Sequence, residues 1–262
     1  NNLKYNSLIW ETSIISKRIM SWILNADIIL KNSNFEFRRN FIESVIIQTN
    51  HLKKNFKYEI DHQKKIEVIT TLILSGLVFK EYEENYVYSL KELEKLIETF
   101  FDNKGFPLTR SPNDLLNFTK YFLLIKEVIK DAQKYVPDTL ENILEKSLEC
   151  LKQLTTPANS LPLFNGSVEY DLTNFYEYIK HYKIKIKKPK FNSGNIHILK
   201  NKKDVIYFEA GKPPKKNYSS CYQSGPLSFE YFFDDQKIIT NCGFGVNISN
   251  KARLISRFTS SQ

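Results

Sequence analysis

No apolar run in the chain approaches the ~18 residues that a membrane-spanning helix needs, so no transmembrane span is predicted. Also missing are the G-x-S-x-G nucleophile elbow, the G-x-x-x-x-G-K-[ST] phosphate loop, the G-x-G-x-x-G fingerprint and the H-E-x-x-H zinc motif. These absences remove the commonest hydrolase, nucleotidase, dehydrogenase and metalloprotease readings, and Gly243-Phe244-Gly245 is too short to restore one. No glycosidase carboxylate pair stands out, because Asp234-Asp235 reads as a hairpin turn and Glu83-Glu84 as a solvated face. The three cysteines, Cys150, Cys221 and Cys242, form neither a disulfide framework nor a C-x-x-C metal pattern, and they read as buried thiols. Arginine is scarce: of 38 basic residues six are arginine and the remaining 32 lysine, so each arginine marks a place where a planar, bidentate donor is wanted.

What is present is a chain of 262 residues, long enough to bury a real core in one or two domains. Its net charge of +9 invites an acidic partner. The lysines are scattered through a sequence rich in Ile and Asn, which speaks against a nucleic-acid patch. Residues 1 to about 155 read as helices. Phe41, Ile42, Val45, Ile46, Thr49, Leu52 and Phe56 share one helical stripe, and Ile66, Ile69, Ile73 and Leu77 another. Capping-box spacing at Ser89 with Glu92, and at Asp138 with Glu141, predicts two helix starts. One-sided helices joined by short turns predict antiparallel helical hairpins in an array or ring.

Pro157, Pro162 and Gly166 break that pattern, and β-branched and aromatic residues dominate from Gly194 on. The organisation read here is 1–160 helical, 161–193 connecting and 194–262 β-rich. Within the last part, Leu227, Phe229, Tyr231 and Phe233 alternate with Ser228, Glu230 and Phe232, and Lys237-Ile238-Ile239 follows across Asp234-Asp235. That predicts a β-hairpin with one buried face.

The wording of this region, Tyr222-Gln223-Ser224-Gly225-Pro226-Leu227-Ser228-Phe229-Glu230, then Ile239-Thr240-Asn241-Cys242-Gly243 and Arg257 to Gln262, resembles the C-terminal sandwich of heparinase II/III-like proteins. Phe208 to Pro214, Leu161 to Gly166, Gly105 to Pro112 and Asn50-His51 are similar to further segments of that family in the same order, the wording sitting closest to its proteobacterial branch. The resemblance implies a multidomain α-then-β fold, a partial N-terminal α/α toroid followed by a partial antiparallel β-sandwich. The chain starts at Asn1 and stops at Gln262 inside a motif, so both ends are expected to be cut, with any signal segment out of view. A β-domain with only its first strands is expected to leave a sheet edge unpaired and to aggregate.

By the same resemblance the chain is expected to be a lyase acting on an acidic, uronate-containing glycan by β-elimination, in the periplasm or cell envelope of a bacterium. The alternative is a non-catalytic glycan-binding or envelope-assembly protein on the same scaffold. At about 100° per residue, Asn50 lies roughly 120° and His51 roughly 140° from the centre of their helix's apolar stripe, as solvated polar residues or cleft residues do. The resemblance assigns Asn50 and Arg110 to neutralising the uronate carboxylate and His51 to proton transfer, which is the help a weakly acidic C5–H needs. Gln223, Glu230, Asn241 and Arg257 are the implied substrate-binding positions. Where the family's lyases carry a catalytic Tyr, this chain has Asp114, with Tyr121 two turns further on. The family's structural zinc would fall on Gln223, Asn241 and Gln262, and because neutral carboxamides are poor zinc ligands, no zinc is expected. A network in which these amides bond one another is expected in its place.

Overall fold

The structure is a computed structural model that describes residues 6–188, 192–223, 225–245 and 248–257. The chain divides into two compact units, one of residues 1–99 and 120–140 and the other of residues 100–119 and 141–262.

The first unit is built on α1 (Thr12–Leu24), α2 (Ala26–Leu30), α3 (Phe35–Asn55), α4 (His62–Val78) and most of α5 (Glu83–Phe100), with later residues of α6 (Pro112–Asp131) and the start of α7 (Asp138–Leu154). The starts of α1, α3 and α4 are capped by side chains. Glu11 accepts from Ile14 N–H, Asn34 from Phe37 N–H and Asp61 from Gln63 and Lys64 N–H, which satisfies donors a helix start leaves open. Helix α4 is the core of this unit and touches both α1 and α3. It is not one-sided as its stripe predicts: every residue from Ile66 to Gly76 is buried. Its small polar residues tolerate this by bonding within the helix, Thr70 Oγ1 to Ile66 O at 2.7 Å and Ser75 Oγ to Leu72 O at 3.0 Å.

The Asp138 start is observed, whereas Ser89 does not open a helix. Helix α5 begins upstream at Glu83, where two acidic residues face the positive end of the helix dipole and Tyr86 is already buried. Ser89 is fully buried inside it.

The second unit holds an aromatic cluster in which the Phe100 and Phe118 rings lie 4.7 Å apart and Phe101 packs edge-on to both. The chain turns after Phe100, with Gly105 at φ 82°, and re-enters a helix at Pro112, where Ser111 Oγ accepts from Asp114 N–H at 3.3 Å. After α8 (Thr173–His181) come β1 (Ile196–Lys200), β2 (Asp204–Glu209), β3 (Phe229–Phe233) and β4 (Gln236–Ile239), an antiparallel sheet in sequential order, then α9 (Asn250–Ile255). Asp234-Asp235 is the β3–β4 turn, as read from the sequence.

The buried face, however, has the opposite parity to the apolar run. Val205, Tyr207 and Glu209 of β2 and Glu230 and Phe232 of β3 point inward, while Phe229 and Phe233 stay 41% and 43% exposed. Tyr207 and Phe232 pack edge to face inside, so one large aromatic from each strand sets the inner side. All three cysteines are free, and only Cys150 is buried; Cys242 is exposed, against its expected burial. Among the described residues no helix is long and apolar enough to cross a membrane.

Candidate functional site

The sequence-predicted residues fall in both units. In the first, Asn50 and His51 sit half-buried on α3, flanked by buried Thr49 and Leu52. The His51 ring meets Trp10 edge to face at 4.8 Å, and burial pulls its pKa below the ordinary histidine value. His51 is therefore neutral at pH 7 and able to accept a proton. Beside it in sequence, Gln48 is buried under Arg18, whose Nε donates to Gln48 Oε1 at 2.8 Å and whose terminal nitrogens reach Ile9 O.

Sequence reasoning missed a buried carboxylate in this unit. Glu67, on α4, is 1% exposed and receives Lys17 Nζ at 3.2 Å, Tyr121 OH at 3.3 Å and Gln63 Nε2 at 3.4 Å. Burial, then the charge of Glu67, push the Tyr121 phenol well above its ordinary pKa, so Tyr121 is a proton holder and not a base. An acidic residue inside an otherwise apolar run was the available signal.

The second unit collects Arg110 and three of the quoted segments into one buried cluster. Arg110 stands at φ 58°, is 7% exposed, and pairs with Glu209, itself 2% exposed. Glu209 Oε1 also accepts from Gly211 N–H at 2.9 Å, and Oε2 from Asn165 Nδ2 at 2.6 Å. The same Asn165 nitrogen reaches Arg110 O at 3.1 Å, and the guanidinium donates to the carbonyls of Gly194 and Lys212. A Cβ at Gly211 would overlap the guanidinium in its present place. Scarcity singled out Arg110; its partners Glu209 and Asn165 lay inside the quoted motifs without being assigned to it. Arg110 reaches a substrate carboxylate only by exchanging Glu209 for it. Asp114 accepts from Thr109 Oγ1 at 2.7 Å.

Gln223 is 2% exposed and joins two backbone segments: its Oε1 accepts from Gly166 N–H at 3.0 Å and its Nε2 donates to Gly243 O at 2.7 Å. Glu230 is fully buried, accepting from Thr240 Oγ1 at 3.0 Å and Asn241 N–H at 3.2 Å, and burial raises its pKa. Arg257 holds the chain before Gln223, donating to Tyr222 O and Ser219 O, each at 3.2 Å.

A family model described as "Heparinase II/III-like, C-terminal" matches residues 185–261. Residues 185–261 are thus similar to the C-terminal domain of that family. The whole chain is similar in fold to a heparinase III crystal structure, with a TM-score of 0.77 at 17% identity over 98% of this chain and 47% of that one. A mutant heparan sulfate lyase HepC from Pedobacter heparinus gives 0.77 at 17% identity, over 98% of this chain and 45% of that one. A heparinase III with methylated lysines gives 0.71 at 15%, over 97% and 44%. The chain thus spans less than half the length of these structures. Their fold is an α/α toroid followed by an antiparallel β-sandwich, and this chain carries part of each. No curated protein matches the sequence.

Of the three positions implied for zinc, the two described ones, Gln223 and Asn241, do not fit the ion. Gln262 lies outside the described residues. Both polar atoms of Gln223 are occupied by backbone groups, and Asn241 Nδ2 is buried without a hydrogen-bond partner among the described residues. The expected bond between Gln223 and Asn241 is replaced by this backbone clasp. Neutral amides bring no charge to a divalent ion, and both polar atoms of Gln223 are already engaged with backbone groups.

Proposed function

We propose that the chain is part of a lyase that cleaves a uronate-containing polysaccharide by β-elimination. The observation that carries the reading is the heparinase II/III-like domain joined to a helical unit in which Asn50 and a neutral His51 stand half-buried side by side in sequence. The net charge of +9 favours a polyanionic substrate.

In this reading Asn50 donates its amide N–H to the uronate carboxylate, which lowers the cost of forming the carbanion at C5. His51 Nε2 or Nδ1 takes the C5 proton, and its neutrality at pH 7 makes it competent to do so. Electrons from the C5–H bond form the C4–C5 double bond as the C4–O bond breaks, and the leaving oxygen takes a proton from an acid. Asp114 stands where the family's lyases carry tyrosine, and that substitution favours a second reading, a glycan-binding protein on the same scaffold. Arg110, neutralised by Glu209, belongs to the second reading as well as to the first.

The test is a scan of uronate polysaccharides, following the ultraviolet absorbance of the unsaturated product. Turnover that His51→Ala removes while binding stays supports the lyase. Binding without turnover on every glycan supports the second reading.

A further inference from the structure

A cavity of about 410 Å³ opens in the first unit beside the segment that follows α3. None of the residues discussed above as catalytic lines it. Its floor is apolar, made by the buried side chains of Phe56, Ile69 and Leu96. Tyr88 forms one wall and packs edge to face against Phe56, with centroids 6.2 Å apart and planes at 83°. The charged rim is unevenly matched. Lys95 is paired with Glu92 at 2.7 Å, and Glu59 Oε1 is taken by the N–H groups of Ile60 and Asp61. Lys65 is half-buried and has no ion pair among the described residues, and Lys57, also without an ion pair, holds its ammonium 4.8 Å from the centroid of the exposed Tyr58 ring. The volume lies within the roughly 300–1,000 Å³ range of small-molecule sites.

An aromatic wall, an apolar floor, and ammonium groups without a carboxylate partner at the rim suit a sugar ring that carries an anion. We infer that this cavity is a second saccharide subsite, taking a hexose unit with a carboxylate or sulfate group. The ring lies against Tyr88, the anion meets Lys65 and Lys57, and Glu59 and Glu92 accept from hydroxyls. The inference rests on the acidic-glycan reading for its ligand class but not on catalysis. A glycan held here is retained at a place that does no chemistry on it, which raises the local concentration of polymer at the protein.

Calorimetric titration of the full chain with three probes tests it: a glucuronate-containing disaccharide, a sulfated disaccharide and inorganic sulfate. One of the disaccharides binds, Lys57→Gln/Lys65→Gln weakens it about tenfold, and Tyr88→Leu weakens it similarly. No disaccharide binding, unchanged affinity in the lysine variant, or inorganic sulfate binding as tightly as either sugar overturns the subsite. Failure of the lyase reading looks different: no glycan is cleaved while this lysine-dependent binding persists.

Discussion

Arg110 and Glu209 show how far a single residue can be read before its partner is known. Arginine scarcity and a turn motif pointed to Arg110, but only the fold brings Glu209 to it, across a separation that no local pattern encodes. Removing one member of a buried pair leaves the other charge unmatched, so Arg110→Met lowers unfolding stability by about 3–5 kcal/mol. Arg110→Met/Glu209→Met recovers much of that loss, and denaturant titration of both variants checks it. If the single variant is as stable as the parent, the pair is not buried as described. Gln223 carries the second prediction at this scale. Protein purified without chelator contains no zinc at stoichiometric level by elemental analysis, and Gln223→Ala destabilises the fold by about 1–3 kcal/mol through two unpaired backbone groups. One equivalent of zinc, lost on mutating Gln223 or Asn241, would contradict the clasp.

At the scale of elements, periodicity located the helices and the hairpin, because the 3.6- and 2-residue periods are properties of local backbone. It failed where tertiary packing chose between equal local options. Ser89 has the spacing of a cap, yet the chain upstream of it has a buried Tyr86 and an acidic first turn, so α5 starts at Glu83. The β3 strand offers an aromatic residue on both faces, and the Tyr207–Phe232 contact selects the inner one. The α4–α5 packing gives a prediction. A Cβ at Gly76 would stand 2.5 Å from Tyr86 N and 2.8 Å from Tyr86 Cβ. Gly76→Ala therefore forces these segments apart and lowers stability by about 1–3 kcal/mol. A thermal melt unchanged from the parent would show that the approach is looser.

For the molecule as a whole, the outer sheet face presents Leu199, Phe229, Phe233 and Ile239 to solvent. Contiguous apolar surface of this kind drives association. The 262-residue chain self-associates in sedimentation experiments, and Phe229→Lys with Phe233→Lys shifts it toward monomer; a monodisperse parent at high concentration would contradict this. The order of helices first and strands later was legible because composition changes after the Pro-rich segment, and the resemblance to the heparinase II/III-like family because its segments keep their order. The proposed proton-transfer pair was less legible, since Asn50 and His51 carry the same residue types as a solvated helix face.

Activity is the most direct test of the central claim. The proposal predicts that the chain releases unsaturated product from a uronate polysaccharide. Its kcat/KM falls as pH drops through the His51 pKa, which burial sets below the ordinary histidine value of about 6.5, because protonated His51 cannot accept a proton. Asn50→Ala and His51→Ala each reduce turnover by at least about 10²-fold with binding retained. Unsaturated product formed at the parental rate by both variants would contradict the account.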